Sequence, residues 1–291
     1  MSSKNFFNKN NTFFSKLLIR FASEAYHYIY PAGAEKLARR LLTSPQKRLS
    51  TVIPDDINAQ SLASHYGELM TYSIGRGPAI LFVHGWSGSG AQFFNLMPYV
   101  AKKGYRAFSY DHYKHGHSGG KECNYPLFIH SLEILEDYLY NTKSLFRVVS
   151  HSMGASAALD FFKESSTPHF LIALLFNFYE ELEKRIKNIG ISPRLFVKIV
   201  STIEDDYKIS VRDHDSIRDI NLIKSPINII HSKSDKLALY HFSKALADIH
   251  KNITLHTVDN IGHMRIVDTP ETTKALTISL REKSKPPSAT T

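Results

Sequence analysis

From about Leu62 onward the chain repeats one pattern of apolar and polar positions. A short apolar run is followed by a glycine-bearing or polar turn, then by a longer stretch with apolar residues at every third or fourth place. Leu69–Ile74 leads through Gly75-Arg76-Gly77-Pro78 into Ala79-Ile80-Leu81-Phe82-Val83. Five apolar residues in succession describe a strand buried on both faces. The pattern then predicts a helix over 91–103, a strand over 105–110, and a helix opening at Pro126 with Phe128, Leu132, Leu135 and Leu139 on one face. Next come a strand over 145–149, a helix from Met153, and a strand over 170–176. Strands over 227–231 and 253–258 complete the set, with a helix from Leu239 between them and a last helix over 270–280. Strands alternating with helices give an α/β fold: right-handed crossovers and a mostly parallel sheet covered on both faces.

Two stretches depart from that rhythm. Residues 178–222 are mostly helical in pattern and carry charges such as Glu180, Glu181, Lys184 and Arg185. An excursion between two strands at the carboxyl side of a parallel sheet falls where such folds bind ligands, so it reads as a small helical cap. Residues 1–60 form an amphipathic, mainly helical arm. Phe6, Phe7, Phe13 and Phe14 come in pairs, Leu17, Leu18, Phe21, Ala25 and Tyr28 follow at helical spacing, and Pro31 divides two helices. The core is then 61–177 with 223–283, and 284–291 is a polar tail.

Charge refines this division. The formal net charge of +9 suggests a nucleic-acid partner until its position is considered. Residues 1–50 hold nine Lys/Arg against Glu24 and Glu35, a net +7, which leaves +2 for the rest of the chain. The body is nearly neutral, so no nucleic-acid partner is expected. The arm either packs on the domain or lies on an anionic membrane surface, a peripheral contact through residues 1–45. Lys16, Arg20 and Glu24 interrupt its apolar run, which excludes a signal peptide or a membrane span. The one cysteine, Cys123, excludes an internal disulfide and fits a reducing, cytoplasmic location.

The candidate chemistry centres on Ser150-His151-Ser152-Met153-Gly154, with Ala155, Ser156, Ala157 and Ala158 behind it. A buried strand turning into a helix with a serine at the apex describes a nucleophile elbow, although Ser150 stands where G-x-S-x-G has its first glycine. A serine hydroxyl needs a base, and the base needs a third group to orient it. His263, in Asn260-Ile261-Gly262-His263, follows the last strand on a glycine-containing loop. Asp235 follows the strand Ile230-His231-Ser232 in the same way, and Asp259 is the competing acid. Ser152, Asp235, His263 is the chain order this architecture uses, and Asp235 has the matching strand-end position. Oxyanion donors are expected at the Met153 amide and, in His84-Gly85-Trp86, at the Trp86 amide, with His84, Gly85, Ser150 and Gly154 supporting the loops. The Asp111, His112, His115, His117 group has the composition of a metal site but lacks motif spacing. No metal and no cofactor are expected.

These pieces together resemble the α/β-hydrolase fold superfamily. The matching stretches are Leu81 to Trp86, Asp111 with His117-Ser118-Gly119, Ser150 to Gly154, Ile230 to Asp235, and Gly262-His263. The resemblance implies a Ser152–His263–Asp235 triad and a cap between strands six and seven. It implies a serine hydrolase acting on a small-molecule carboxylic ester, of short-to-medium acyl length, through an acyl-enzyme. A serine nucleophile disfavours dehalogenases and epoxide hydrolases, which use aspartate there. Thioesterases, carbon–carbon bond hydrolases, cofactor-free perhydrolases and a non-catalytic ligand-binding member stay open.

Overall fold

The computed structural model describes residues 13–45, 51–140, 145–189 and 191–281. Phe6, Phe7 and the tail at 284–291 lie outside them. Eight strands among the described residues form one sheet: β1 Asn58–Leu62, β2 Leu69–Ile74, β3 Ala79–Val83, β4 Arg106–Tyr110, β5 Leu145–His151, β6 His169–Ile172, β7 Ile227–Ser232 and β8 Ile253–Val258. Their order is β1-β2-β4-β3-β5-β6-β7-β8. β2 runs antiparallel to β1 and β4, and every other pairing is parallel. The helices are α1 Phe13–Ile29, α2 Pro31–Leu42, α3 Leu96–Ala101, α4 Tyr125–Tyr140, α5 Met153–Phe162, α6 Phe178–Ile189, α7 Pro193–Tyr207, α8 Ser216–Leu222, α9 Tyr240–Ile249 and α10 Pro270–Arg281.

Alternation along the strands explains why the sheet is covered on both sides. Phe170 and Ile230 belong to one apolar cluster with Phe82, Phe93, Val149 and Leu276, while Leu171 and Ile229 belong to another with Leu159, Ile220 and Leu246. Adjacent residues of β6 and β7 therefore feed opposite cores. The register sets Val83 beside Ser150 and Ser150 beside Leu171, with Ser232 beside Val258. The loops that leave β3, β5, β7 and β8 accordingly open along one edge of the sheet, the edge at which parallel sheets bind ligands.

The chain divides into two compact units, Met1–Ser44 with Asn177–His214, and Pro45–Phe176 with Asp215–Thr291. In the smaller unit α1 and α2 pack with α6 and α7. Leu195, Phe196, Ile199, Val200 and Ile203 make the buried stripe of α7, and the Phe196 ring lies 5.6 Å from that of Tyr179. Ser192 donates its amide to Ser23 Oγ at 3.2 Å, and Arg39 pairs with Asp206.

Three elements differ from expectation. The helix expected over 91–103 is a single 3-10 turn, Gly90–Phe93, followed by α3. Pro98 has no amide to donate, so the helix restarts with it in the first turn, where none is needed. The strand expected over 170–176 ends at Ile172, because Ala173 takes a left-handed conformation (φ 48°) and leads the chain out of the sheet. β1 straddles the boundary expected between arm and core, beginning at Asn58.

Candidate active site

Ser152 occupies the turn between β5 and α5 at φ 54°, ψ −125°. A non-glycine residue there carries about 1–3 kcal/mol of strain and needs surroundings that hold it. They do. The Ser152 amide donates to the Ile172 carbonyl at 3.0 Å, and the Ser152 carbonyl accepts from Ala155 and Ser156 at 3.0 and 3.2 Å. Two residues on, a Cβ at Gly154 would come within 2.2 Å of the His84 carbonyl oxygen, so only glycine lets α5 start this close to the loop after β3. Ser150 fits as a fully buried residue of β5, and its hydroxyl has no hydrogen-bond partner among the described residues.

His263 comes to the same place from the loop after β8. That loop turns at Asn260 (φ 58°), and the Gly262 carbonyl caps the next turn by accepting from Arg265 and Ile266. His263 Nε2 lies 2.8 Å from Ser152 Oγ, and its Nδ1 lies 2.7 Å from Asp235 Oδ2. The network assigns the tautomer: Nδ1–H faces the carboxylate, leaving Nε2 to accept from the serine hydroxyl. The other carboxylate oxygen, Oδ1, accepts from the amides of Leu237 and Ala238 at 2.8 and 3.0 Å. The competing acid Asp259 is exposed and pairs with Lys233 at 3.4 Å.

Burial would raise the Asp235 pKa, but the nearby His231 ring, the hydrogen bond from His263, the His263 charge and the Leu237 amide outweigh it. The carboxyl is held well below the usual carboxylate range. Two histidines that pattern reading passed over frame the site. His151, the second residue of the elbow pentapeptide, is buried and donates from Nε2 to the His263 carbonyl at 3.1 Å. Burial, and then the neighbouring His263 ring, lower its pKa to about 3, so it stays neutral. His231 donates from Nε2 to the Ala238 carbonyl at 3.0 Å, lies 3.6 Å from Asp235 Oδ2, and faces Ser243 Oγ at 2.7 Å from Nδ1. Both are buried positions of sheet strands, where an imidazole needs partners. That need was their signal in the sequence.

The loop after β3 lies against the elbow. A Cβ at Gly85 would meet both the His151 carbonyl and Ser152 Cβ at 2.9 Å. Neither the Trp86 nor the Met153 amide has an acceptor among the described residues. The loop is held from below by polar groups. His84 Nδ1 lies 2.8 Å from the Gly85 carbonyl, and His84 Nε2 accepts from the His112 amide at 2.9 Å. His115 Nε2 accepts from the Ser87 amide at 3.1 Å. Asp111 accepts from the Gly90 amide at 2.7 Å, from Tyr72 at 2.7 Å and from the His117 amide at 2.8 Å. The ring nitrogens of His112 and His115 face protein groups such as Ser131 Oγ and the Tyr113 carbonyl.

Two aromatic residues in and beside 178–222, Phe176 and Phe196, belong to separate cores. Phe176 packs on Phe242, and Phe196 on Tyr179. No helix among the described residues is long and apolar enough to cross a membrane.

Residues 78–170 match the family model described as alpha/beta hydrolase fold. No curated protein matches the chain in sequence. Among solved structures, the esterase Pf2001 from Pyrococcus furiosus superposes with a TM-score of 0.60 at 19% identity, covering 81% of this chain and 97% of that one. An esterase from Exiguobacterium antarcticum gives 0.55 at 17%, covering 74% and 96%. Est1E from Butyrivibrio proteoclasticus, solved with ferulic acid bound, gives 0.55 at 14%, covering 78% and 100%. At these identities the likeness is one of fold.

Proposed function

The chain has the α/β-hydrolase fold, and on that frame we propose that it is a serine hydrolase that cleaves carboxylic esters of short-to-medium acyl length. The observation that carries the reading is the unbroken chain from Ser152 Oγ through His263 to Asp235, at 2.8 and 2.7 Å. The esterases among the fold's solved structures support it.

The steps follow from where the protons sit. His263 Nε2 takes the Ser152 proton as Oγ attacks the ester carbonyl, and the ionised Asp235 stabilises the imidazolium so formed. The tetrahedral oxyanion is received by the Trp86 and Met153 amides. Losing one such donor typically costs ~10²–10³ in rate. The imidazolium gives its proton to the departing alcohol, leaving the acyl group on Ser152. Water, deprotonated by the same imidazole, then releases the acid and restores the hydroxyl. Asp235, held ionised, and His151, held neutral, leave one mobile proton on His263. These steps use only side chains and backbone amides of the chain, with water as the second nucleophile.

Turnover on p-nitrophenyl esters from acetyl to dodecanoyl, for the wild type and Ser152→Ala, tests the reading. The wild type is expected to turn over the shorter members, with Ser152→Ala slower by ~10⁴-fold or more. Equal rates for the two proteins, or no turnover by the wild type on any ester, would overturn it.

A further inference from the structure

α1 is amphipathic in an inverted sense. Its half-buried stripe is Ile19, Ser23 and His27, one residue every four, with Ser23 held by the Ser192 amide and His27 lying 3.8 Å from Glu35. The opposite face carries Leu18, Phe21, Ala25, Tyr28 and Ile29, which helical spacing sets in one line. These side chains are open to solvent: Leu18 is 71% exposed, Phe21 62%, Tyr28 90% and Ile29 79%. α2 continues the surface. Ala34 and Ala38 face inward, while Leu37 and Leu41 point outward beside the exposed Lys36 and Arg40. Of the sixteen large apolar side chains exposed among the described residues, nine lie between Leu17 and Leu41. That concentration makes a patch rather than scatter, and a soluble surface rarely carries one without a partner.

We propose that this face of α1 and α2 docks on an anionic lipid surface, with the helices lying in the interface plane. Charge selects the occupant. Residues 1–50 carry a net +7 along the sequence, with Lys36 and Arg40 exposed on α2, so a second copy of the chain would bring like charge against this face. An anionic bilayer offers phosphates to Lys36 and Arg40 and hydrocarbon to Leu18, Phe21 and Ile29, with tyrosines at the boundary between them. A helix of 17 residues lies flat on such a surface without crossing it. The proposal is independent of the ester-hydrolase reading.

Full-length protein is incubated with vesicles of phosphatidylcholine, or of phosphatidylcholine mixed with phosphatidylserine, and the bound fraction is read by flotation. Binding to the anionic vesicles is expected, with ~10-fold or greater weakening in the Lys36→Gln, Arg40→Gln double variant and on raising the salt. The Leu18→Ser, Phe21→Ser, Ile29→Ser triple variant is expected to lose ~10-fold or more, since the apolar area is the other half of the attraction. Circular dichroism and gel filtration check that both variants fold. No binding to anionic vesicles, or unchanged binding by the folded triple variant, would overturn the proposal. So would a wild-type dimer that the triple variant dissociates while lipid binding is absent, a result that would assign the face to a second copy.

Discussion

At Asp235 two forces oppose each other, and the outcome bears directly on the chemistry. Burial favours the neutral acid, while the hydrogen bond from His263, the Leu237 amide and the nearby His231 ring favour the carboxylate and prevail. A neutral isostere at Asp235 would reverse the Nδ1 preference of His263 and leave Nε2 protonated, unable to accept from Ser152. Asp235→Asn is therefore expected to lower kcat by ~10³–10⁴, with little change in KM. Asp259→Asn removes only an exposed ion pair, and its turnover is expected to stay near that of the wild type. Steady-state kinetics on one p-nitrophenyl ester separates the two, and a near-normal Asp235→Asn enzyme would contradict the assignment. His151 acts on the same centre from the other side, through the His263 backbone rather than its ring. Its neutrality matters because a second positive charge 5.0 Å from the His263 ring would disfavour the imidazolium.

At the level of elements, the turn from β5 into α5 is the part least tolerant of change. A Cβ at Gly154 would press on the His84 carbonyl, backbone against backbone, so neither side yields as a flexible side chain would. Gly154→Ala is expected to cost about 1–3 kcal/mol or more, read as a fall in thermal midpoint, and to lower turnover as the elbow shifts from the Gly85–Trp86 loop. Gly262→Ala is the control: a Cβ there meets nothing closer than the Arg265 side chain at 3.8 Å. Equal thermal midpoints for the two variants would contradict this account of the turn. The same elements show what could be read in the chain beforehand. β3 was legible because burial on both faces demands an unbroken apolar run, and β5 because Leu145, Phe146, Val148 and Val149 make a run that only Arg147 interrupts. β1 was not, because Asn58, Ala59, Gln60 and Ser61 are exposed on an edge and leave no alternation to find. The end of β6 was hidden for another reason. Leu174, Leu175 and Phe176 are buried like strand residues, yet Ala173 has already turned the chain aside. Composition reports burial there, and backbone direction is a separate matter.

Across the whole molecule, buried histidines couple stability to pH. His115, His151 and His169 are each lowered to about 3, by burial first and then by His84, His263 and Arg147 respectively, and His112 is also held well below its ordinary value. In the unfolded chain these groups take up protons near pH 6.5. Between pH 6.5 and 3 the unfolded state therefore binds more protons, so stability falls as pH falls. Each contributes about 1.4 kcal/mol of loss one unit below pH 6.5. The thermal midpoint is expected to hold from pH 8 to 7 and drop steeply between pH 6 and 5. A midpoint unchanged down to pH 5 would show that these rings are not buried neutral. The division of charge between arm and body was legible from the sequence alone. The packing of α1 and α2 with α6 and α7 was not, since it joins segments more than a hundred residues apart and no local pattern records such a pairing.

The central claim is that Ser152 carries the acyl group, and covalent labelling tests it most directly. Wild-type protein and Ser152→Ala are treated with a fluorophosphonate and weighed intact by mass spectrometry, and the adduct is mapped by peptide. The account expects one adduct per chain, on Ser152, and none in Ser152→Ala. A wild type that takes no adduct, or a Ser152→Ala protein that labels equally, would contradict it.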